Sequence, residues 1–340
     1  MRITLPLLAL VAVCTAPVSA QQSTYHVVAR IPLPGEGGWD YLTVDTAAHR
    51  LYVSRGTHVT VVDLDKDSIV GDIPNTLGVH GIALVRDLGR GYTSNGRDST
   101  VTVFDLKTLA PVTSIKVTGR NPDAIAYEPV SQRVFTFNGG SGNTTVIDPH
   151  TGAVVGTTDL GGAPEFAVAD GRGRVYVNIE DKSEVVALDA RTLTVQKRWS
   201  LAPCEAPSGL AIDRAQRRLF SVCSNGVMAV SDADSGRVLA TLPIGAGVDG
   251  AAFDPATRLA FSSNGEGTLT VVHEQSPDTF KVVATVPTQR GGRTVALDER
   301  THRIYTVAAQ FGQPPAPTAD RPRPRPPIIP GSVVLVVLER

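Results

Sequence analysis

Apolar residues fall along this chain in short bursts of four to seven positions, rich in Val, Thr and aromatics and each closed by turn residues. Residues 164–201 show the unit. Glu165-Phe166-Ala167-Val168-Ala169 is a strand-length apolar run, stopped by Asp170-Gly171-Arg172-Gly173. Arg174-Val175-Tyr176-Val177-Asn178 returns, Glu184 to Asp189 makes a third run, and Thr194 to Leu201 a fourth. Val, Thr and aromatic side chains suit a pleated, half-buried surface, and Gly and Asp suit the tight reversals between runs. The pattern predicts four antiparallel strands per unit.

The unit recurs from end to end. Its signature is Arg, then an apolar residue, then usually an aromatic, at the opening of the second strand. It appears as Arg50-Leu51-Tyr52, Arg90-Gly91-Tyr92, Arg133-Val134-Phe135, Arg174-Val175-Tyr176, Arg218-Leu219-Phe220, Arg258-Leu259-Ala260-Phe261 and Arg303-Ile304-Tyr305, seven copies spaced 40 to 45 residues apart. A period of that length built from β-runs predicts a propeller with one blade per repeat. Third strands are expected at Val59 to Leu64, Val101 to Leu106, Thr144 to Asp148, Val227 to Asp232, Leu269 to His273 and Val333 to Leu338. Fourth strands follow only six repeats, because the chain ends at Arg340. Val27-Val28-Ala29-Arg30-Ile31, ahead of the first repeat, has the missing pattern and is expected to pair with Val333 to Leu338. Such closure removes open sheet edges. The predicted fold is all-β: a seven-bladed β-propeller of four-stranded antiparallel blades, closed by pairing the N-terminal strand with the C-terminal blade.

One segment, 313–331, breaks the period inside the last repeat. Pro314 to Pro330 holds eight prolines together with Arg321, Arg323 and Arg325. Proline cannot donate to a ladder, so this stretch is expected to be an extended loop. It would cover the propeller mouth or, alternatively, meet a partner.

Leu51-Tyr52-Val53-Ser54, Tyr92-Thr93-Ser94-Asn95-Gly96 and Thr144-Thr145-Val146-Ile147-Asp148 resemble the YVTN repeats of YncE-like bacterial β-propellers. The resemblance spans essentially the whole chain beyond its leader. It implies the propeller fold and export, but no particular reaction, because the repeats are scaffold motifs. Some relatives are linked to single-stranded DNA, which the charge of this chain does not favour.

Residues 1–20 read as a secretory leader: Arg2, an apolar core from Leu5 to Val13, and Val18-Ser19-Ala20 as a small-residue cleavage site. The core is too short to span a bilayer. Residues 21–340 are expected to form a single exported domain, periplasmic or secreted, and a monomer. The formal charge of −1 gives no electrostatic case for nucleic acid. Cys204 and Cys223 remain after cleavage, and both lie in the fifth repeat. Cys204 sits ahead of the first strand and Cys223 near the end of the second, neighbours in an antiparallel pair. A disulfide is the expected outcome in an oxidising compartment, with a metal-binding or reactive thiol pair as the alternative.

The first strand of each blade lines the central channel of a propeller. Five residues before the end of each first strand stand Asp40, His80, Asp123, Glu165, Ser208, Asp249 and Arg293, six of them ionisable. A scaffold position would repeat one residue type, as the Arg signature does. This position stays polar while its identity varies, which is how a site looks when grafted on a repeat. The ends of the second strands add Arg55, Asn95, Asn138, Asn178, Asn225 and Asn264. Four of these Asn precede Gly and read as turn formers, whereas Asn178 precedes Ile179 and fits that role least well. Trp39 and Tyr41 flank Asp40, where they would either fill the gap between blades or form a stacking wall for a ligand.

Such a ring supports several chemistries. Asp40, Asp123, Glu165 and Asp249 offer the hard oxygens that Ca²⁺ or Mg²⁺ prefers, and His80 would extend the choice to Zn²⁺ or Mn²⁺. Without a metal, Arg293 would take a ligand carboxylate, while His80, Asp123 or Glu165 act as acid and base. A solvated funnel of mutually neutralising charges is the bland alternative. The leading expectation is a small polar ligand or a partner bound at the channel mouth by Trp39, Asp40, His80, Asp123, Glu165, Ser208, Asp249, Arg293 and Asn178. The alternatives are a cation-dependent hydrolase or lyase acting on a lactone or uronate-like sugar, and a protein-interaction scaffold. No Gly-x-Ser-x-Gly elbow, phosphate loop or Cys-x-x-Cys is present, so nothing supports a covalent serine or thiol mechanism.

Overall fold

The computed structural model describes residues 25–318 and 324–340; the leader 1–20 and Arg321 and Arg323 lie outside the described residues. Seven four-stranded antiparallel sheets form a ring, each sheet ordered first strand to fourth. Their first, channel-side strands are Leu42–Asp45, Val79–Val85, Pro122–Glu128, Pro164–Ala169, Pro207–Asp213, Val248–Asp254 and Ala296–Asp298, in blades 1 to 7. The seventh blade takes its outer strand, His26–Pro32, from the other end of the chain, paired antiparallel to Val334–Glu339. The ring therefore closes as its strand pattern predicts.

The apolar core lies between blades, not in the channel. Seven clusters form, each joining two successive blades; Leu51, Val53 and Val62 of blade 1 meet Tyr305, Val307 and Leu335 of blade 7 in one of them. Middle strands are covered on both faces, which is why Leu51-Tyr52-Val53-Ser54 and its equivalents read as continuous apolar runs and are fully buried. The signature aromatics cross these seams: Tyr52 lies 5.8 Å from Phe104 of blade 2, and Phe220 stacks 5.1 Å from Phe253 of blade 6. Gly91 replaces the usual apolar residue because Phe104 opposite it fills the space. A Cβ there would stand 2.0 Å from the ring. Gly91→Val is expected to destabilise the protein by about 1–3 kcal/mol through overpacking, and Phe104→Val added to it to restore most of the loss. Urea denaturation of both single variants and the double measures the coupling; additive effects would contradict this packing.

The signature Arg is tied to the third strand beside it in four blades. Arg90, Arg133, Arg218 and Arg303 pair with Asp105, Asp148, Asp232 and Glu339 at the far end of the neighbouring third strand. The turn carboxylates instead accept backbone N–H bonds of their own turns, as Asp45 does from Ala47 and Ala48. In blade 6 the register slips by one. Arg258 is the left-handed last residue of the turn (φ 55°), and Leu259 opens the strand.

Cys204 and Cys223 form a disulfide with Cα atoms 5.5 Å apart. Proline-rich residues leave the seventh blade after Ala308, with a bridge between Phe311 and Ile328 at their base. No helix among the described residues is long and apolar enough to cross a membrane.

Candidate functional site

Five of the seven channel-facing residues sit where their blade's ladder is broken. The pairing of first to second strand shifts register between Val79 and Ile82, Pro122 and Ile125, Pro164 and Ala167, Pro207 and Leu210, and Val248 and Gly250. These bulges contain His80, Asp123, Glu165, Ser208 and Asp249. A bulge re-aims its side chain, here at the start of the channel. The second strand secures it. Ser94 Oγ hydrogen-bonds the Asp123 carbonyl of the next blade, and Ser263 Oγ the Arg293 carbonyl. Asn178 does the same for blade 5, donating to the carbonyls of Ser208 (2.9 Å) and Gly209 (3.2 Å).

The structure brings five of the seven ring side chains into one connected chain of contacts. His80 Nδ1 lies 2.6 Å from Asp40 Oδ2 and 3.7 Å from Asp123 Oδ1. Arg293 joins the other side, with Nε 2.9 Å from Asp249 and one terminal nitrogen 3.8 Å from Asp40. Glu165 has no hydrogen-bond or ion-pair partner among the described residues, yet the Asp123 and Asp249 charges bear on it. Four carboxylates thus face one guanidinium and one imidazole.

That surplus of negative charge shows in proton affinity. Burial raises the Glu165 carboxyl, and repulsion from Asp123 and Asp249 adds to it, to about 9. Burial likewise lifts Asp249 to about 7 against the opposing pull of Arg293. Asp123 is also raised, mainly by burial, with His80 opposing. For His80, burial alone would lower the pKa. The Asp40 hydrogen bond and the Asp123, Asp40 and Glu165 charges together outweigh it and bring the group to about 9. The mouth therefore holds protons at neutral pH where a cation would otherwise be needed.

Beneath the ring lies a plug that sequence reasoning saw only in half. The residue after each ring position is Gly81, Ala124, Gly209, Gly250 or Thr294 in five blades, but Tyr41 and Phe166 in blades 1 and 4. These two rings stack at 4.8 Å with planes 25° apart. A cavity of about 590 Å³ opens below them, lined by first-strand residues including Leu42, Ile82, Leu210 and Phe253. Two aromatics among five small residues was the available signal, and Phe166 was missed.

Other expected site residues are placed elsewhere. Asn178 is fully buried behind the channel wall, its amide donating to carbonyls and its oxygen accepting from Ser221 at 3.0 Å, so it presents nothing to a ligand. It is also one residue out of register with three of the other Asn, while Asn225 lies in the turn beyond its second strand, which ends at Cys223. Asn95, Asn138 and Asn264 face the start of the third strand, whereas Asn178 faces Val185 and Ile179 takes the equivalent place. Those Asn donate across the hairpin, Asn95 to Thr100 (3.0 Å) and Thr102 (2.9 Å), so cross-strand locking is what they supply. Ser208 is buried, its hydroxyl 3.4 Å from the Val248 carbonyl. Trp39 packs 6.4 Å from Phe311 at the base of the proline-rich segment. Arg55 is sealed inside, donating to loop carbonyls.

Asp40, His80 and Asp123, from three successive blades, have donor atoms within 4.8 Å of one another. Two oxygens and an imidazole nitrogen are a reasonable donor set for Mn²⁺ or Zn²⁺. The 2.6 Å contact of His80 with Asp40 is a hydrogen bond, so a metal would have to displace its proton.

The fold has close structural counterparts. A crystal structure of RRP9 WD40 repeats superimposes with a TM-score of 0.77 at 10% identity, covering 92% of this chain and 98% of that one. A structure of U3-55K gives 0.77 at 10% identity, covering 91% and 98%. Kuenenia stuttgartiensis hydrazine synthase gives 0.68 at 18% identity, covering 81% and 94%. At these identities the likeness is one of fold: the chain is a seven-bladed β-propeller similar to WD40 propellers. No family model and no curated protein matches the sequence, so the likeness to YncE-like proteins stands on the strand phrases alone.

Proposed function

We propose that this protein is an exported binding propeller that takes a small polar ligand with a positively charged group at the channel mouth. The observation that carries the reading is the unbalanced ring: four carboxylates from four blades against Arg293 and His80, with Glu165 unpaired. Arg293 is already engaged by Asp249 and Asp40, so it is not free for a ligand carboxylate, and the expectation of an anionic ligand gives way to a cationic one. The Tyr41–Phe166 plug makes the mouth a shallow cup. Export is supported by the Cys204–Cys223 disulfide, since such bonds persist in oxidising compartments.

A divalent cation at Asp40, His80 and Asp123 is the second reading, favoured by their donor spacing. A metal there would supply Lewis acidity, and Glu165 or Asp249 would be the neighbouring proton carrier. A hydrolase or lyase would follow only from this reading.

Calorimetric titration with Mn²⁺, Ca²⁺ and 1,4-diaminobutane tests both. One of these probes is expected to bind the wild type at a single site. Asp123→Asn with Asp249→Asn is expected to weaken that binding by at least about 100-fold, about 2.7 kcal/mol, with the circular dichroism spectrum unchanged. No binding by the wild type, or equal binding by the variant, overturns the mouth as the site. Mn²⁺ bound with release of protons selects the metal reading.

A further inference from the structure

At the face opposite the ionic mouth, four of the turn carboxylates that end the first strands are linked to the following blade through an obvious donor. Asp45 accepts from Arg86 at 2.9 Å, Glu128 from the Gly173 N–H at 3.2 Å, and Asp170 from Arg217 at 2.9 Å. Asp254 is bridged to His302 at 2.7 Å. The seam between blades 5 and 6 departs from this rule. Asp213, 4% exposed, meets another acid, Glu274, which is fully buried.

Glu274 is itself an anomaly of the repeat. The residue that follows the partner of the second strand's first residue is Leu64, Leu106, Ala190 or Ala233 in other blades, each donating its N–H to the carbonyl of the turn before the second strand; in blade 6, whose third strand runs on to Ser276, it is Glu274. Glu274 makes the same backbone bond, to Arg258, while carrying a carboxyl group into an apolar position. Neither of its carboxyl oxygens receives a hydrogen bond from a described donor. Arg258, displaced into the turn by the register slip of blade 6, stands 3.6 Å away, an ion-pair distance too long for a good hydrogen bond. Arg218 of blade 5 is engaged with Asp232, Asp278 and the Pro277 carbonyl. The charged groups facing Glu274 are thus Asp213 from blade 5 and Arg258 from its own blade.

We propose that the seam between blades 5 and 6 is a pH-operated joint, locked by one proton held on the buried, otherwise unpartnered carboxyl group of Glu274, which faces Asp213. With the proton, Glu274 is the donor that this link otherwise lacks, and the seam resembles its neighbours. Without it, two carboxylates face each other in a sealed site with a single, poorly placed guanidinium. Burial, together with the neighbouring Asp213 carboxylate, raises the Glu274 carboxyl from 4.5 to about 7, with Arg258 opposing. A raised carboxyl stabilises the fold below its unfolded value, and that contribution is lost as pH rises through the folded one. The joint therefore tightens in mild acid and loosens above neutrality. It stands apart from the channel-mouth reading and does not depend on it.

Urea denaturation between about pH 5.5 and about pH 8.5 compares wild type with Glu274→Gln, whose amide donates to Asp213 at every pH, and with Glu274→Leu, the residue type of blade 1. The wild-type midpoint is expected to fall with pH relative to both variants; His80 and Glu165 titrate in all three and cancel. Parallel midpoints overturn the proposal. Infrared spectroscopy gives a readout that does not depend on stability. The wild-type spectrum minus that of Glu274→Gln, in which the mouth carboxyls common to both proteins cancel, should show a protonated-carboxyl band in mild acid that fades above neutrality; the lack of such a difference band also overturns it. Should the variants not fold, amide exchange in the wild type decides. Arg218–Cys223 and Leu259–Asn264 should lose protection above neutrality, beyond the intrinsic change in rate and more than the strands of blades 1 to 3, and uniform protection overturns the joint.

Discussion

Arg55→Met is expected to lower the unfolding free energy by about 3 kcal/mol or more, measured by urea denaturation against the wild type. Arg55 is fully buried, and its guanidinium ends among backbone oxygens: Gly38 at 3.2 Å, Leu33 at 3.1 Å, and Pro34, Gly35 and Gly37 at 3.4 Å each. These carbonyls belong to the loop that carries the chain from the closing strand into blade 1. Methionine keeps much of the volume but donates nothing, so several carbonyls lose their donor in a site sealed from water. Each unsatisfied buried acceptor costs about 1–3 kcal/mol, and partial hydration of the loop would keep the sum below the full total. Gly37 is tied to the same feature, since its φ of 103° and a Cβ contact of 2.3 Å with the Arg55 carbonyl oxygen leave room only for glycine. A variant with unchanged stability would show that the loop does not depend on this donor.

Removing the disulfide should cost a similar amount. Cys204→Ser with Cys223→Ser opens a bridge spanning 19 residues, for which loop-closure entropy gives about 3 kcal/mol at 25 °C. Both sulfur positions are buried, at 1% and 0% exposure, so the serine hydroxyls also need partners and add to the loss. The effect should appear as a lower urea midpoint in non-reducing buffer and shrink to the smaller serine contribution when wild type and variant are compared in excess reductant. A difference undiminished by reduction would assign the loss to packing instead.

Within the site, the ring was legible because varied polar residues recurred at one register of an otherwise apolar strand. What each residue contacts was not. Arg293 could be found as a channel residue by counting, but its engagement with Asp249 and Asp40 depends on blades that are neighbours only once the ring has closed. Asn178 was misplaced for a simpler reason. Side chains alternate with a period of two, so a shift of one position turns an apparent wall residue into a buried latch. The signature Arg shows the same limit in blade 6, where one residue separates a strand opener from the left-handed turn residue Arg258. Phe166 looked like an ordinary apolar strand residue because its partner, Tyr41, lies three blades away in sequence.

By itself the sequence determined the strand pattern, the count of seven blades, the closure by His26–Pro32 and the pairing of Cys204 with Cys223. Those features are local or periodic: they follow from side-chain alternation, turn chemistry and the fixed length of a blade. Only the tertiary structure decided the balance of charge at the mouth, the plug beneath it and the acid pair between blades 5 and 6. Each of these arises where residues from different blades are forced together out of water, and burial and proximity there alter proton affinity and partner choice by amounts that no spacing along the chain encodes.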